Sequence, residues 1–402
     1  MPAEAFARPP ADLLAARVRD PYPYFAWQRR HAPAHVERRP GRPAVWQISR
    51  YEDVRALLTD PRLSKDPGRA PGYVPGPAGL NRHLVHADPP DHTRLRTLVN
   101  TAFVPRRIAL LEPFITEVAH RLLDRVENSV HVDVIADFAA PLTFRMICAI
   151  LGVPEHLDNA ATRDTLMATI APDTSADPGR AERDLHDLLD ALIAGKRSGQ
   201  ESGGVDLLGA LVRAGDESGA MSEEELRSTA YLLLLVGHDT TMNLIGNGML
   251  ALLHHPAEAA RLTGPQTGPV LLASAVEELL RYDSPVRDAT FRCAGESIRL
   301  HGRTIREGEI VSLLIGSANR DGRRFADPDR LDLGRTPGDH LAFGYGPHFC
   351  IGAALARLEG AVAFPLLLER LGTVQLAKPA DELPWRPARV MRGLAALPLV
   401  RQ

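Results

Sequence analysis

The chain has 402 residues, 45% of them hydrophobic and 24% charged, with 47 Lys and Arg against 50 Asp and Glu. That composition is globular, and a formal net charge of −3 gives no reason to invoke nucleic acid. Three cysteines are too few, and odd in number, for a disulfide framework, which points to a reducing compartment. No basic and then apolar leader opens the chain. The most apolar stretch, residues 231–236, is far short of the about 20 residues that span a bilayer. The expectation is a cytoplasmic protein with no membrane attachment. Chains of this length often split, but no linker or repeat divides the sequence, so residues 1–402 are expected to form one domain.

Residues 1–25 are rich in proline and are expected to be irregular. Residues 34–38 and 45–49 flank Pro40-Gly41-Arg42-Pro43 and predict a hairpin. Tyr51–Leu58 predicts a short helix. Residues 64–80, punctuated by Pro67-Gly68, Pro71-Gly72 and Pro75-Gly76-Pro77, predict a long functional loop. A helix capped by Asp91 or Thr93 follows Pro90, and another follows Pro105. Residues 108–127, 138–152 and 182–197 carry helical apolar spacing. Ser222 followed by three glutamates predicts a capped helix running towards residue 253. Residues 256–262 and Pro269–Tyr282 predict two more helices. Beyond Pro285 the texture changes to short strand-like pieces, among them Ile298–Leu300 and residues 310–314. A glycine-rich stretch then leads to Cys350 and a last helix, in which Pro365 predicts a kink. The sum is a mainly α, α+β chain.

Cys350 ends the run Phe343-Gly344-Tyr345-Gly346-Pro347-His348-Phe349 and precedes that last helix. A cysteine at a helix N-terminus feels the positive end of the dipole, which favours thiolate. One cysteine with no CxxC partner cannot build a zinc or iron–sulfur centre from this segment. A lone axial thiolate to haem iron fits these facts, and so does an inert buried thiol. Cys148 sits in an apolar run and reads as core, while Cys293 has no metal-spaced neighbour.

Four other constellations carry chemistry. An apolar helix is interrupted by Gly237 and then by His238, Asp239, Thr240 and Thr241. The glycine lets something press on the helix, a threonine can bond back to the i−4 carbonyl, and an acid beside a hydroxyl suits a proton relay. Glu278 and Arg281 share one helix face. His92 and Arg96, four apart, present donors that suit carboxylates such as haem propionates. Asn319-Arg320-Asp321 reads as turn chemistry with an arginine reaching nearby carbonyls. Taken singly, each also reads as a solvated face, a surface ion pair or a plain turn.

Together and in this order, over residues 86–357, these motifs resemble the bacterial cytochrome P-450 superfamily of haem-thiolate monooxygenases. The run from Phe343 through Cys350 to Arg357 is similar to the family's cysteine-loop signature. Glu278-x-x-Arg281 is similar to its helix-K pair, Gly237-His238-Asp239-Thr240 to its oxygen-activation motif, and His92 and Arg96 to its haem anchors. The wording looks closest to actinobacterial members that tailor macrolides and other secondary metabolites. Val236 departs from the usual Ala or Gly and should narrow the pocket over the iron.

The resemblance implies a helix-rich lobe and a small β-rich lobe, with haem b between the long central helix and the cysteine-loop helix. It implies Cys350 as the iron ligand, and His92, Arg96, Arg292 and His348 as haem-binding residues. Asp239 and Thr240 would be catalytic, and Glu278, Arg281 and Arg320 structural. Leu235, Val236, Val286 and Ala289 would line the substrate pocket, with residues 71–84 and 167–180 as a lid. The implied reaction inserts one atom of O2 into an unactivated C–H bond of a small hydrophobic secondary metabolite, macrolide- or polyketide-like. Because no flavin or NAD fingerprint is present, a monomer fed by a ferredoxin and its reductase is implied, with Arg94, Arg106 and Arg107 as a docking patch. Epoxidation and oxidative C–C or C–O coupling follow from the same oxidant. Peroxide-driven members typically lack an acid–alcohol pair such as Asp239-Thr240, and a haem-less helper relative would lack Cys350.

Overall fold

The computed structural model describes residues 8–38, 43–73, 80–101, 103–169, 178–199, 206–264, 267–336 and 338–402. The first described elements are α1 (Ala11–Ala16) and α2 (Tyr22–His31), so the described part of residues 1–25 holds helix where an irregular stretch was expected, with residues 8–10 and 17–21 outside the helices. Proline did not prevent α2, because Pro21 and Pro23 stand at its first turn, where the amide has no partner to lose. Buried Tyr24 and Phe25 then pack it on Leu314.

β1 (Ala34–Glu37) and β2 (Val45–Ile48) form the expected antiparallel hairpin. They are followed by α3 (Tyr51–Leu58) and β3 (Leu63–Ser64). α4 (Asp91–Asn100) starts at Pro90 with no side-chain cap, so neither Asp91 nor Thr93 caps it. The periodic run at 108–127 is divided between α5 (Pro105–Ala109) and α6 (Glu112–Arg125). After β4 (His131–Asp133), a π-helical turn at Val134–Ala139 leads into α7 (Ala140–Leu151). α8 (Ala160–Ala168), α9 (Pro178–Arg197) and α10 (Leu207–Ser218) come next.

The 32-residue α11 (Glu223–His254) is the axis of the molecule. Its N-terminus carries a full capping box, with Ser222 Oγ accepting from the Glu225 amide at 3.2 Å and Glu225 Oε2 from the Ser222 amide at 2.9 Å. Such a cap contributes about 1 kcal/mol. α11 packs on α7, α9 and the two later helices α13 (Pro269–Tyr282) and α15 (Ala353–Leu371). It is therefore apolar nearly all round, as a buried helix must be. The remaining elements are α12 (Pro256–Ala260), β5 (Cys293–Ala294), β6 (Ile298–Leu300), β7 (Arg303–Ile305), β8 (Ile310–Leu313), α14 (Ile315–Ala318), β9 (Val374–Leu376) and β10 (Pro398–Arg401). α15 continues through Pro365 as one element.

Helices dominate, and among the described residues the strands make three small sheets. The largest has the order β1-β2-β8-β5-β3, with β2 and β8 parallel. It covers its own core, including Ile48, Val54, Ile305 and Leu313, apart from the helical core around α11. Among the described residues one segment, Val134–Leu151, is long and apolar enough to cross a membrane, but 72% of it is buried inside the protein. It is longer than the 231–236 stretch singled out in the sequence, and it packs against α6 and α11.

Candidate active site

The loop before α15 is shaped by backbone conformations that glycine tolerates. Gly344 and Gly346 have φ of 74° and 79°, and a Cβ on Gly346 would collide with Thr59. The loop closes on itself through the Cys350 amide, which donates to the Phe343 carbonyl at 2.8 Å. Cys350 thus stands on the wall of a cavity whose lining also includes Thr240 of α11. Cys350 is exposed by area, and the surface it exposes is cavity wall. Burial raises its thiol above the usual range, opposed by the Gly352 amide, Arg96 and Arg357. Metal binding favours the thiolate, which is the liganding form. Cys148 and Cys293 are buried and do not line the cavity. Among the described residues no group of three or more His, Cys, Asp or Glu could hold a metal ion, so the site offers one protein donor and not a cage.

One edge of the cavity is cationic. His92 on α4 and His348 on the cysteine loop have ring centroids 4.1 Å apart. Their nitrogens His92 Nε2 and His348 Nδ1 are buried without a partner. Arg96, one turn along α4, donates from Nε to Asn100 Oδ1 at 3.1 Å, and buried Arg292 donates to the Thr290 carbonyl at 2.9 Å. Among the described residues no acidic side chain pairs with either arginine. Burial lowers Arg292 to about 10 and, with the neighbouring cations, His348 to about 2. Buried cations and orphaned imidazole nitrogens are costly unless an anion completes them. Two propionate carboxylates at the edge of a haem held by Cys350 fit that demand in charge and in donor type.

The opposite wall is α11. Gly237 is required there, since a Cβ would lie 2.6 Å from Ile147 Cδ1 of α7. Thr240 Oγ1 donates back to the Val236 carbonyl at 2.7 Å. Val236, Val286 and Ala289 line the cavity with Thr240, whereas Leu235 does not; it packs into the helical core instead. Adjacent helical residues point about 100° apart, and the same rotation separates Asp239 from Thr240. Asp239 is fully buried away from the cavity, and its Oδ1 accepts from Arg386 Nη2 at 2.7 Å. That Nη2 also serves Asn243 Oδ1. Arg386, on the C-terminal tail, was not anticipated, and nothing in its local sequence marks it. The tail also supplies Val390 and Met391 to the lining, fixed by a bridge between Met391 and Val286. Of the expected lid, residues 74–79 and 170–177 lie outside the described residues; Leu84 lines the cavity.

Glu278 and Arg281 form no surface pair. Each side chain is 2% exposed, and Arg281 grips both carboxylate oxygens at 2.7 and 2.9 Å. The third member is Arg335, 3.1 Å from Glu278. Arg320 stands elsewhere, donating to the Tyr282 carbonyl at 2.8 Å between the rings of Tyr22 and Tyr282. Arg357 of α15 is bidentate to Glu277 at 2.6 and 3.0 Å and stacks on Phe343 of the cysteine loop. Arg94 pairs with Glu225 and Asp91, Arg106 is exposed, and the side chain of Arg107 lies outside the described residues.

The comparisons agree with this geometry. Residues 270–388, which hold the buried ion pair and the cysteine loop, match the family model "Cytochrome P450". The cytochrome P450 monooxygenase PikC of Streptomyces venezuelae is 44% identical over 94% of this chain and 91% of its own. The 6-deoxyerythronolide B hydroxylase of Saccharopolyspora erythraea is 36% identical, covering 94% of this chain and 96% of its own. The solved structure of the tirandamycin C-bound P450 monooxygenase TamI superposes with a TM-score of 0.88 at 39% identity, over 96% of this chain and 98% of the other. Full-length relatives at this identity, a matching fold, and a cavity with one thiol facing a hydroxyl-bearing helix lead to one conclusion: the chain belongs to the cytochrome P450 family of haem-thiolate monooxygenases.

Proposed function

We propose that Cys350 is the thiolate that carries the haem and that the cavity between it and α11 oxidises a macrolide- or polyketide-like substrate. The observation that carries this reading is one cavity whose described lining joins Cys350 and Thr240 to Arg96, Arg292 and His348 with no acidic residue among them. Haem bound there supplies activation of O2 and transfer of one oxygen atom to a C–H bond. His92, Arg96, Arg292 and His348 hold its carboxylates. Val236, Val286 and Ala289, with Met391, shape the apolar space in which a substrate C–H bond is positioned, and Val236 narrows that space. Thr240 releases its hydroxyl from the Val236 carbonyl towards the cavity and there holds a proton or a water. Asp239, one residue earlier, receives protons from the side of Arg386, whose side chain is 21% exposed. Glu278 and Arg281 support the loop region and touch no reacting atom.

The substrate class rests on relatives: one is a 6-deoxyerythronolide B hydroxylase and another was solved with tirandamycin C. Electrons come from a ferredoxin and its reductase, and exposed Arg106 on α5 belongs to the docking face. The test is turnover of a macrolactone with that electron-transfer pair under isotopically heavy O2. One heavy oxygen in the hydroxylated product is expected; a product oxygen taken from water contradicts transfer from O2, and oxidation without a retained oxygen contradicts hydroxylation and supports coupling chemistry. In the same assay Thr240→Ala is expected to divert most electrons to peroxide, with product per electron falling several-fold. Unchanged coupling would remove Thr240 from proton delivery.

A further inference from the structure

β3 and β5 pair antiparallel, with Leu63 opposite Ala294 and Ser64 opposite Cys293. One step further along the same register, Lys65 lies across from Arg292. Like charges facing each other across a sheet are unfavourable, and both of these are buried, with exposures of 2% and 3%. Lys65 was not distinguished in the sequence, where a lysine after a short strand reads as a solvated charge.

Its surroundings make the position more unusual. Lys65 Nζ donates to Thr290 Oγ1 at 2.6 Å, and the carbonyl of the same Thr290 accepts from Arg292 at 2.9 Å. Thr290 therefore pins both cations, and Thr290 and Arg292 both line the cavity. Asp88 is the neighbouring carboxylate, but its oxygens are taken by Ser64 Oγ and the Lys65 backbone amide at 2.8 Å, and not by Nζ. Among the described residues no acid forms an ion pair with Lys65. A buried ammonium is tolerated when it is paired. Burial and the Arg292 charge push the Lys65 ammonium well down, opposed by Asp88, and among the described residues no carboxylate is hydrogen-bonded to the side chain of either cation.

We propose that Lys65 is a further positioning residue for the haem, holding the carboxylate edge together with Arg292 through their shared Thr290, and that its positive charge raises the reduction potential of the bound iron. The inference rests on haem occupying the cavity with its carboxylates at the cationic edge. A fixed positive charge in a low-dielectric interior acts over several ångströms, and it favours the form of the cofactor with one more electron. Hydrogen bonding and surrounding charge are among the levers by which a protein sets haem potential.

The experiment compares holoenzymes of wild type, Lys65→Met and Lys65→Arg. Two readouts are taken: the rate of haem transfer to excess apoglobin, and the ferric/ferrous midpoint potential. Lys65→Met, which keeps the length but not the charge, is expected to transfer haem about tenfold faster, the scale of losing a charge-assisted contact, and to show a lower potential. Lys65→Arg is expected to lie near wild type in both. Unchanged transfer and potential in Lys65→Met would overturn the proposal. So would faster transfer with an unmoved potential, because that is what a lysine serving only as packing would give. If Lys65→Met does not accumulate with haem, Lys65→Gln can still hydrogen-bond Thr290 without charge and carries the same expected fall in potential. The reduced carbon-monoxide spectrum of the wild-type sample, taken first, separates failure of the haem placement from failure of the Lys65 assignment.

Discussion

Arg281→Met is expected to cost about 3–5 kcal/mol, the range found when one partner of a buried ion pair is removed, and so to leave little folded protein. Net stabilities are only about 5–15 kcal/mol. The reason is the number of groups that depend on this guanidinium. Besides both oxygens of Glu278, it satisfies the carbonyls of Asn319 at 2.9 Å, Pro328 at 2.8 Å and Arg330 at 3.2 Å. Without it, Glu278 keeps Arg335 and the Asp332 amide but remains a buried carboxylate that has lost its bidentate partner. Arg281→Lys is expected to recover only part of the loss, since an ammonium cannot reproduce the planar fork. The damage would reach the active site, because Asn319 Oδ1 accepts from the Leu341 amide at 2.7 Å, just before the cysteine loop. Chemical denaturation of the soluble fraction checks this; an Arg281→Met protein as stable as wild type would contradict it.

Cys350→Ser is expected to abolish turnover while leaving the fold intact. The cysteine side chain accepts from the Gly352 amide, a contact that a serine oxygen can also make, and its backbone amide bond to Phe343 is unaffected by the substitution. The edge formed by the guanidinium groups of Arg96 and Arg292 and the imidazoles of His92 and His348 is also untouched, so the variant is expected to take up haem, more weakly. Uptake without turnover would show that holding the cofactor and directing its chemistry are divided between different residues. Turnover at the wild-type rate would remove Cys350 from the chemistry.

What the sequence made legible follows from how local the physics is. The capping box at Ser222 and Glu225, the glycines with positive φ before Cys350, and the back-bond from Thr240 to Val236 each involve residues four or fewer apart. The cap, the loop and the back-bond were all expected. Rotation about a helix is harder to read: Leu235 and Val236 were grouped together, and only Val236 faces the cavity. Burial is harder still. The spacing of Glu278 and Arg281 suggested a weak exposed pair, because period alone does not say which helix face turns inward. Contacts between distant segments were beyond reach. Arg386 is 147 residues from Asp239, and Lys65 meets Arg292 only because two short strands pair. At α2 the signal was present but was misread, since proline starts a helix as readily as it ends one.

The most direct test of the central claim, that Cys350 binds the haem iron as a thiolate, is the reduced carbon-monoxide difference spectrum of the wild-type protein beside that of Cys350→Ser. A thiolate-type Soret band in the wild type, absent from the variant, is the result expected. A wild type without that band, or a variant that keeps it, would contradict the assignment.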